Sequence, residues 1–424
     1  MDFQSLLRFA VEHDASDVHL QAGLPPHLRM GGILKAINQP PLTDEEVRNF
    51  LTSIAPARYR DTLDDRLVAG LDFSYAAPGM SRFRCSAYRQ LGHAGVAMRI
   101  IKARIPSIPE LHLPSVVGTI GNAQRGLTLV TGTTGSGKST TLAAIIDLIN
   151  QQRSCKIITI EDPVEYLHSP KHAVISQLEL GSDTPSFEQA LRQSLRQDPD
   201  VVLVGELRDT DTLRIALRAA DTGHQVFSTV HSASAPQTIE RIIAMFPPAE
   251  HKLLLTQLAG NLEAIISQRL VICRDGSRRP ATEILRGGPV PTKYILEGRA
   301  LELHDYIRTA GNGQHTFDQD LLSMFRQELI SHHEAMLHAT NPESLNMALR
   351  GITSSKGITE PGKPTHPGQP KPPMPAKPAP TAATGASRRA RFEGPSRLRR
   401  RGTRWIRWGG EARMMNDETR MTNQ

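Results

Sequence analysis

The chain has 424 residues, of which 39% are hydrophobic, so it is long enough for two or three domains with buried cores. Its net charge of +7 is unevenly distributed. Residues 351–424 hold 15 Lys and Arg against 5 Asp and Glu, a net charge of +10, which leaves −3 on the first 350 residues. A mildly acidic body excludes a general electrostatic attraction to nucleic acid outside residues 351–424.

The cysteine content and the hydropathy indicate the cellular compartment of the protein. The three cysteines, Cys85, Cys155 and Cys273, are far apart and form no CxxC pair, which argues against a disulfide framework or a zinc clip. No apolar run approaches the roughly 18 residues of a membrane span, and the first residues lack the pattern of a signal peptide. We therefore expect a protein of the reducing cytoplasm.

Residues 1–112 predict a small mixed α/β domain. Between residues 81 and 88 apolar side chains alternate with a polar set that includes Arg82 and Arg84, and a second strand follows at 96–101. This alternation predicts a hairpin with one buried face and one face that carries arginines.

Residues 113–350 alternate apolar strands with amphipathic helices, which is typical of a parallel sheet with crossover helices. The predicted strands are 127–131, 157–160, 201–204 and 226–230. Helices are predicted from Thr140, from Ser186, whose spacing to Gln189 fits a capping box, and after Thr210. The expected fold class is therefore α/β.

The composition changes in residues 351–424. Nine prolines fall between Pro361 and Pro380, and an arginine-rich stretch with both tryptophans, Trp405 and Trp408, follows. Such a segment cannot bury enough apolar surface to offset the entropy of ordering it. We expect a disordered tail, and the alternatives are anchoring to anionic lipid or a non-native extension of the reading frame.

A phosphate-binding loop with the pattern G-x-x-x-x-G-K-[ST] follows the first predicted strand. The predicted nucleotide site comprises Gly132, Thr133, Thr134, Gly135, Ser136, Gly137, Lys138, Ser139 and Thr140. The strand before it and the helix after it provide the context in which backbone N–H groups bind phosphate oxygens. Lys138 is expected to reach the β- and γ-phosphates of ATP, and Ser139 to hold Mg²⁺. The alternative is a glycine-rich turn without a ligand, which the flanking elements disfavour.

Carboxylates follow two of the predicted strands. Glu161 and Glu165 come after strand 157–160, and Glu206 comes directly after Gly205 at the end of strand 201–204. Because the carboxyl ends of parallel strands border the crevice where ligands bind, these side chains are expected near the phosphates. Glu161 or Glu165 could polarise the attacking water, although an acidic surface turn is the alternative. Glu206, in the position of a Walker B acid, could bind Mg²⁺ through water or orient the nucleophile.

Two histidines, His224 and His231, lie at the two ends of the last predicted strand. A lone histidine is more often structural than catalytic, but a pair downstream of two nucleotide-binding motifs favours a functional role. A histidine near the γ-phosphate can report hydrolysis by gaining or losing a hydrogen bond. Both are therefore catalytic candidates.

The phosphate-binding loop and four further segments resemble those of the secretion ATPase superfamily, most closely the type IV pilus retraction ATPases that drive twitching motility. The resemblance covers about residues 1–350. Besides the phosphate-binding loop it rests on Ala15-Ser16-Asp17-Val18-His19-Leu20, the Asp box Thr159-Ile160-Glu161-Asp162-Pro163-Val164-Glu165-Tyr166, Gly205-Glu206-Leu207-Arg208-Asp209 and the His box that ends in Thr229-Val230-His231-Ser232.

The resemblance implies a homohexameric ring in which each subunit has a PAS-like α+β N-terminal domain and a RecA-like motor domain. ATP and Mg²⁺ would occupy the cleft between these domains. Arginines at matching positions of the N-terminal hairpin, Arg82, Arg84 and Arg99, would approach the phosphates, and an exposed basic strand face is the alternative. The missing four-cysteine zinc module favours the retraction branch. Residues 290–296, however, lack the arginine of a motif associated with retraction.

The resemblance implies an ATPase that powers pilus disassembly from the cytoplasmic face of the bacterial inner membrane, to which it would bind peripherally. Its expected partners are a membrane-embedded platform protein and an accessory or paralogous pilus ATPase. An accessory retraction ATPase is the second interpretation. A nucleic-acid translocase that uses the basic tail is a third, but the acidic body argues against it and no nucleic acid is expected as a partner. A non-catalytic scaffold is disfavoured because no motor motif is visibly broken.

Overall fold

A computed structural model describes residues 2–101 and 104–352, which form two β-sheets with helices packed against them. The strands are β1 (Asp17–Gln21), β2 (His27–Met30), β3 (Ile33–Ala36), β4 (Leu71–Ala76), β5 (Arg82–Gln90), β6 (His93–Ile101), β7 (Gly126–Thr131), β8 (Lys156–Glu161), β9 (Val174–Glu179), β10 (Val201–Val204), β11 (Gln225–Val230), β12 (Leu262–Ile272) and β13 (Arg278–Arg286). The helices are α1 (Phe3–Glu12), α2 (Asp44–Ile54), α3 (Ala57–Arg60), α4 (Leu63–Ala69), α5 (Val116–Gly121), α6 (Lys138–Gln152), α7 (Phe187–Ser194), α8 (Thr210–Asp221), α9 (Ala235–Ala244), α10 (His251–Asn261), α11 (Pro289–Leu296), α12 (Leu303–Thr309), α13 (Phe317–Arg326), α14 (His332–Leu337) and α15 (Pro342–Leu349). The predicted tail lies outside the described residues, apart from its first two positions.

The N-terminal sheet has six antiparallel strands in the order β3-β2-β1-β6-β5-β4. On β5 the side chains of Phe83, Cys85 and Ala87 are fully buried and join a core with α1, α2 and α4, while Arg84 between them is exposed. The predicted hairpin with one buried and one arginine-bearing face is therefore confirmed as β5 and β6.

The second sheet, here the motor sheet, has seven strands in the order β13-β12-β7-β11-β10-β8-β9. All neighbours are parallel except β13, which runs antiparallel to β12. The four predicted strands are β7, β8, β10 and β11, each within one residue of its predicted ends. Strand β7 is buried on both faces, because Leu129 packs with α7–α10 and Val130 packs with α5 and α6.

The predicted helix starts are correct for α7 and α8. The Ser186 hydroxyl accepts the Gln189 N–H at 3.1 Å, and α8 begins at Thr210 after the capping residue Asp209. Helix α6 begins at Lys138, two residues before its predicted start, because Gly137 in a left-handed conformation is its N-cap.

The sequence predicts no individual helix or strand C-terminal to β11. Helices α13–α15 pack on the β12–β13 hairpin around a core that contains Phe317, Leu321 and Ile330. The division of the body after residue 112 stays a prediction. None of the helices in the described ranges has the length and hydrophobicity of a transmembrane span.

Candidate active site

The phosphate loop, residues 132–139, connects β7 to α6 at the carboxyl edge of the motor sheet. Gly132 has a φ of +145°, and a Cβ atom there would overlap the Ser136 side chain and the Gln268 carbonyl, so only glycine fits. The Ser136 Oγ atom is buried and has no hydrogen-bond partner among the residues that the structure describes. A tight loop with a free buried hydroxyl fits a nucleotide phosphate.

Lys138 lies over the phosphate loop at the start of α6. Its Nζ atom donates hydrogen bonds to the carbonyl oxygens of Gly132 and Thr133, each at 3.0 Å. Burial lowers the pKa of Lys138, and the negative charges of Glu206 and Glu165 oppose that shift. The side chain therefore presents a partly desolvated cation where phosphate charge would develop.

Ser139 and the three predicted carboxylates, Glu161, Glu165 and Glu206, line one pocket between α6 and the ends of β8 and β10. The strand order brings them together because β8 and β10 are neighbours. Gly205 permits the close approach, since a Cβ atom there would lie 3.2 Å from the Ile160 carbonyl oxygen. The pocket is thus built at the carboxyl edge, as the sequence predicts.

Glu161 is the most firmly held of these carboxylates. It accepts hydrogen bonds from Thr159 Oγ1 at 2.7 Å, from Gln177 Nε2 at 3.3 Å and from the Glu165 N–H at 3.4 Å. Burial raises the pKa of Glu161, and these three hydrogen bonds oppose the shift. Glu165 itself is exposed. Neither Thr159 nor Gln177 was among the predicted site residues. Gln177 lies on β9, which only the folded sheet places beside β8, whereas Thr159 has a local signal, because it precedes Glu161 by two residues on the same strand.

The Glu206 carboxylate lies beside an arginine and a histidine. Arg208 Nε is 2.8 Å from Glu206 Oε2, and His231 Nε2 is 3.4 Å from Glu206 Oε1. His231 also lines a cleft with Thr133 and Thr134 of the phosphate loop. The structure therefore brings His231 together with Glu206 and the loop. Arg208 was not among the predicted site residues, and its only sequence signal was its place in the Glu206 motif.

His224 is not brought to this edge of the sheet. It precedes β11, and its Nδ1 atom lies 2.9 Å from the Ala219 carbonyl oxygen and 3.1 Å from Thr222 Oγ1 at the end of α8. The six residues of β11 separate it from His231 by about 20 Å. The two histidines thus flank opposite ends of β11, as the sequence places them, and a catalytic role for His224 stays a prediction.

The hairpin arginines have partners outside the phosphate loop. Arg82 Nη2 forms an ion pair with Glu179 Oε2 on β9 at 2.9 Å, and Arg99 Nε pairs with Asp17 Oδ1 on β1 at 2.9 Å. Arg84 is exposed. In the described part of the chain no hydrogen bond or ion pair joins these three side chains to the loop. Their approach to phosphates stays a prediction.

The Arg82–Glu179 ion pair is expected to stabilise the contact between the two sheets. Glu179 is buried and also accepts the Val164 N–H at 3.2 Å, so it joins Arg82 to the turn that carries Glu165. Arg82→Ala leaves this buried carboxylate poorly compensated, and we expect a loss of about 1–3 kcal/mol in unfolding free energy. Denaturant unfolding of the Arg82→Ala, Glu179→Gln and double variants measures the coupling.

Arg84→Ala is the matched control for this pair, because Arg84 lies on the same strand and the same face but is exposed. We expect its effect to stay within about 0.5 kcal/mol. Equal losses for Arg82→Ala and Arg84→Ala, or additive effects of the Arg82 and Glu179 substitutions, would contradict the assignment.

This fold and site define a P-loop nucleotide-binding protein with a RecA-like motor domain and a smaller α+β domain before it. The family model described as "Type II/IV secretion system protein" matches residues 2–317. The chain belongs to this family.

The relatives include type IV pilus ATPases. The type IV pilus retraction ATPase PilT of Pseudomonas aeruginosa is 41% identical over 345 residues, which cover 81% of this chain and 100% of that protein. The type IV pilus ATPase PilU of the same organism is 37% identical over 352 residues, covering 82% and 92%. A crystal structure of the pilus retraction motor PilT with bound ADP superposes with a TM-score of 0.76 at 39% identity, covering 82% of this chain and 99% of that one. The α/β fold class and the resemblance to type IV pilus retraction ATPases are confirmed.

Proposed function

We propose that this protein is the hexameric ATPase motor that powers type IV pilus retraction and twitching motility. One observation carries the proposal: Ser139, Glu161 and Glu206 line a single pocket beside a phosphate loop whose lysine is in place. The match to PilT over that protein's whole length supports the same conclusion for the machine in which the chain works.

ATP is the proposed substrate, held by Lys138 and the N–H groups of the phosphate loop. Ser139 and Glu206 are the residues that would hold Mg²⁺, which neutralises charge on the phosphates when bound. Glu161 is the proposed general base, since a carboxylate with a raised pKa accepts a proton from water more readily than an ordinary glutamate does. Glu165, which is exposed, is the alternative base.

His231 is proposed to sense the γ-phosphate, because it lies beside both Glu206 and the loop. Arg82, Arg84 and Arg99 would stabilise the charge that develops during transfer. For Arg82 this requires an exchange of its partner Glu179 for phosphate, and for Arg99 an exchange of Asp17. We propose no role in hydrolysis for His224 within its own chain, because it lies at the opposite end of β11 from His231.

The proposed assembly is a homohexameric ring at the cytoplasmic face of the inner membrane, associated peripherally through a membrane-embedded platform protein. Hydrolysis would open and close the cleft between the domains of each subunit and so turn the platform protein. Nucleic acid is not a proposed partner, since the acidic body of the chain offers it no attraction.

Deletion of the gene in its native host tests the proposal. We expect loss of surface motility together with an excess of surface pili, because extension continues while retraction stops. Loss of the pili themselves would point to an extension ATPase and contradict retraction. The purified protein should also hydrolyse ATP with Mg²⁺ and elute as a hexamer.

A second candidate is an accessory retraction ATPase that works beside a dedicated motor. It is favoured by α11, where Pro291 and Lys293 lie in a segment that lacks the motif arginine. In a host with a second retraction ATPase, deletion would then reduce only retraction against a load. Complete loss of retraction without load would exclude this candidate.

A further inference from the structure

A short segment links the proposed phosphate sensor to the outer strands of the motor sheet. Residues 231–235, here the sensor segment, run from His231 to the first residue of α9. The Ala235 N–H donates to Glu283 Oε1 on β13 at 2.8 Å, and Arg269 Nη2 on β12 donates to the Ala233 carbonyl oxygen at 3.5 Å. Two side chains of the β12–β13 hairpin therefore hold the backbone of this segment.

Arg269 also contacts the C-terminal helices. Its Nη1 atom donates to the His338 carbonyl oxygen and, at 3.1 Å, to Thr340 Oγ1. The guanidinium carbon lies 3.9 Å from the centre of the Phe317 ring, at the start of α13. The arginine is thus in contact with the sensor segment on one side and with the region of α13–α15 on the other.

Glu283 is fully buried, and this burial raises its pKa to about 7, against the opposing hydrogen bond from Ala235 and the charge of Arg269. Burial also lowers the pKa of Arg269, while the charges of Glu283 and Asp318 oppose that shift. A buried carboxylate costs stability compared with an apolar residue of similar volume. What Glu283 provides in return is the acceptor for the Ala235 N–H.

We propose that Arg269 and Glu283 are positioning residues that hold the sensor segment so that His231 faces Glu206, and that they join it to helices α13–α15. This inference rests on the proposed function, in which His231 senses the γ-phosphate. It extends that function because Arg269 connects the C-terminal helices to the segment that carries His231.

Glu283→Leu tests the proposal in the full-length protein. It removes the acceptor for the Ala235 N–H, and we expect kcat for ATP to fall about tenfold because a small displacement of a reacting-site group is costly. The KM for ATP should change less than about threefold, because the phosphate loop is untouched. Glu283→Gln keeps an oxygen acceptor at the same place and should retain kcat within about threefold of the wild type.

Asp44→Leu is the control. Asp44 is a half-buried carboxylate at the start of α2 that accepts a backbone N–H of the N-terminal sheet, that of Ala94 on β6 at 2.7 Å. We expect it to lower the midpoint of thermal unfolding while kcat stays within about twofold of the wild type. Equal kcat losses for Asp44→Leu and Glu283→Leu would reduce Glu283 to a structural role and overturn the proposal.

Two further measurements test whether Glu283 acts on kcat by positioning His231 or by an independent effect. In a background of His231→Ala, Glu283→Leu should cost little more kcat, because both changes disable the same sensor, whereas independent effects would multiply and overturn the proposal. Amide hydrogen exchange of residues 231–244 should accelerate in Glu283→Leu and not in Asp44→Leu. Unchanged exchange would also overturn it.

Hydrogen exchange tests the contact between Glu283 and the sensor segment even if the wild-type protein hydrolyses no ATP. Absence of hydrolysis would contradict the proposed function but not this contact. If Glu283→Leu does not fold, Arg269→Lys replaces it. Lysine retains the charge but cannot reach Ala233 and Thr340 together, so the same pattern of lower kcat and nearly unchanged KM is expected. An Arg269→Lys variant with wild-type kcat would then overturn the proposal.

Discussion

Lys138→Ala is expected to lower ATP hydrolysis by about 10²–10³-fold or more, because it removes the cation that would neutralise the transferring phosphate. The fold should survive the change. Within residues 2–101 and 104–352, the Nζ atom donates only to the carbonyls of Gly132 and Thr133, which can be hydrated instead, so the stability cost is about 1 kcal/mol. Phosphate release by the purified variant, with Mg²⁺ and saturating ATP, measures the effect.

Lys156→Ala is the control for this substitution. Lys156 begins β8 at the opposite edge of the motor sheet and donates to Ser176 Oγ at 2.6 Å, so the same truncation there should leave hydrolysis within about twofold. In the native host, Lys138→Ala should abolish surface motility and leave an excess of pili. Hydrolysis at the wild-type rate by Lys138→Ala would refute the proposed site.

Glu161→Gln is expected to lower kcat by about 10²–10⁴-fold while ATP binding is retained, since an amide cannot accept the proton of the attacking water. Glutamine can keep the hydrogen bond from Thr159, so the geometry should be preserved. Single-turnover hydrolysis and equilibrium binding of ATP, measured on the same preparation, separate chemistry from affinity.

The pH dependence provides a second test of the same residue. A base must be ionised to act, and burial raises the pKa of Glu161 above its usual value of 4.5. The acid limb of kcat/KM should therefore lie above pH 4.5 and disappear in Glu161→Gln. Thr159→Val removes a hydrogen bond that stabilises the carboxylate, and it should move this limb to still higher pH.

Two neighbouring carboxylates are the controls for Glu161. Glu165→Gln should lower kcat less than about tenfold if Glu161 is the base, because the exposed Glu165 side chain then accepts no proton in the reaction. Glu206→Gln should also lower kcat, but raised Mg²⁺ should recover part of the loss, as expected of a residue that holds the metal. A larger loss for Glu165→Gln than for Glu161→Gln would reverse the assignment of the base.

Local patterns predicted the central part of the site well. Each of these patterns lies within a short stretch of the chain. They are the glycines of the phosphate loop, the apolar runs of β7, β8, β10 and β11, and the acidic residues that follow β8 and β10. The rule that parallel strands end at one edge of a sheet then placed Glu161 and Glu206 together. The same rule separates His231, which follows β11 at that edge, from His224, which precedes β11 at the opposite edge.

The sequence by itself determined which side chains are candidates for the chemistry, because hydrophobic periodicity, turn residues and the phosphate-loop pattern are local properties of the chain. Only the tertiary structure decided which distant groups hold those side chains in place. Arg82 meets Glu179 across 97 positions, and Ala235 meets Glu283 across 48. Such pairs depend on strand order and on the packing of whole elements, which no local periodicity encodes.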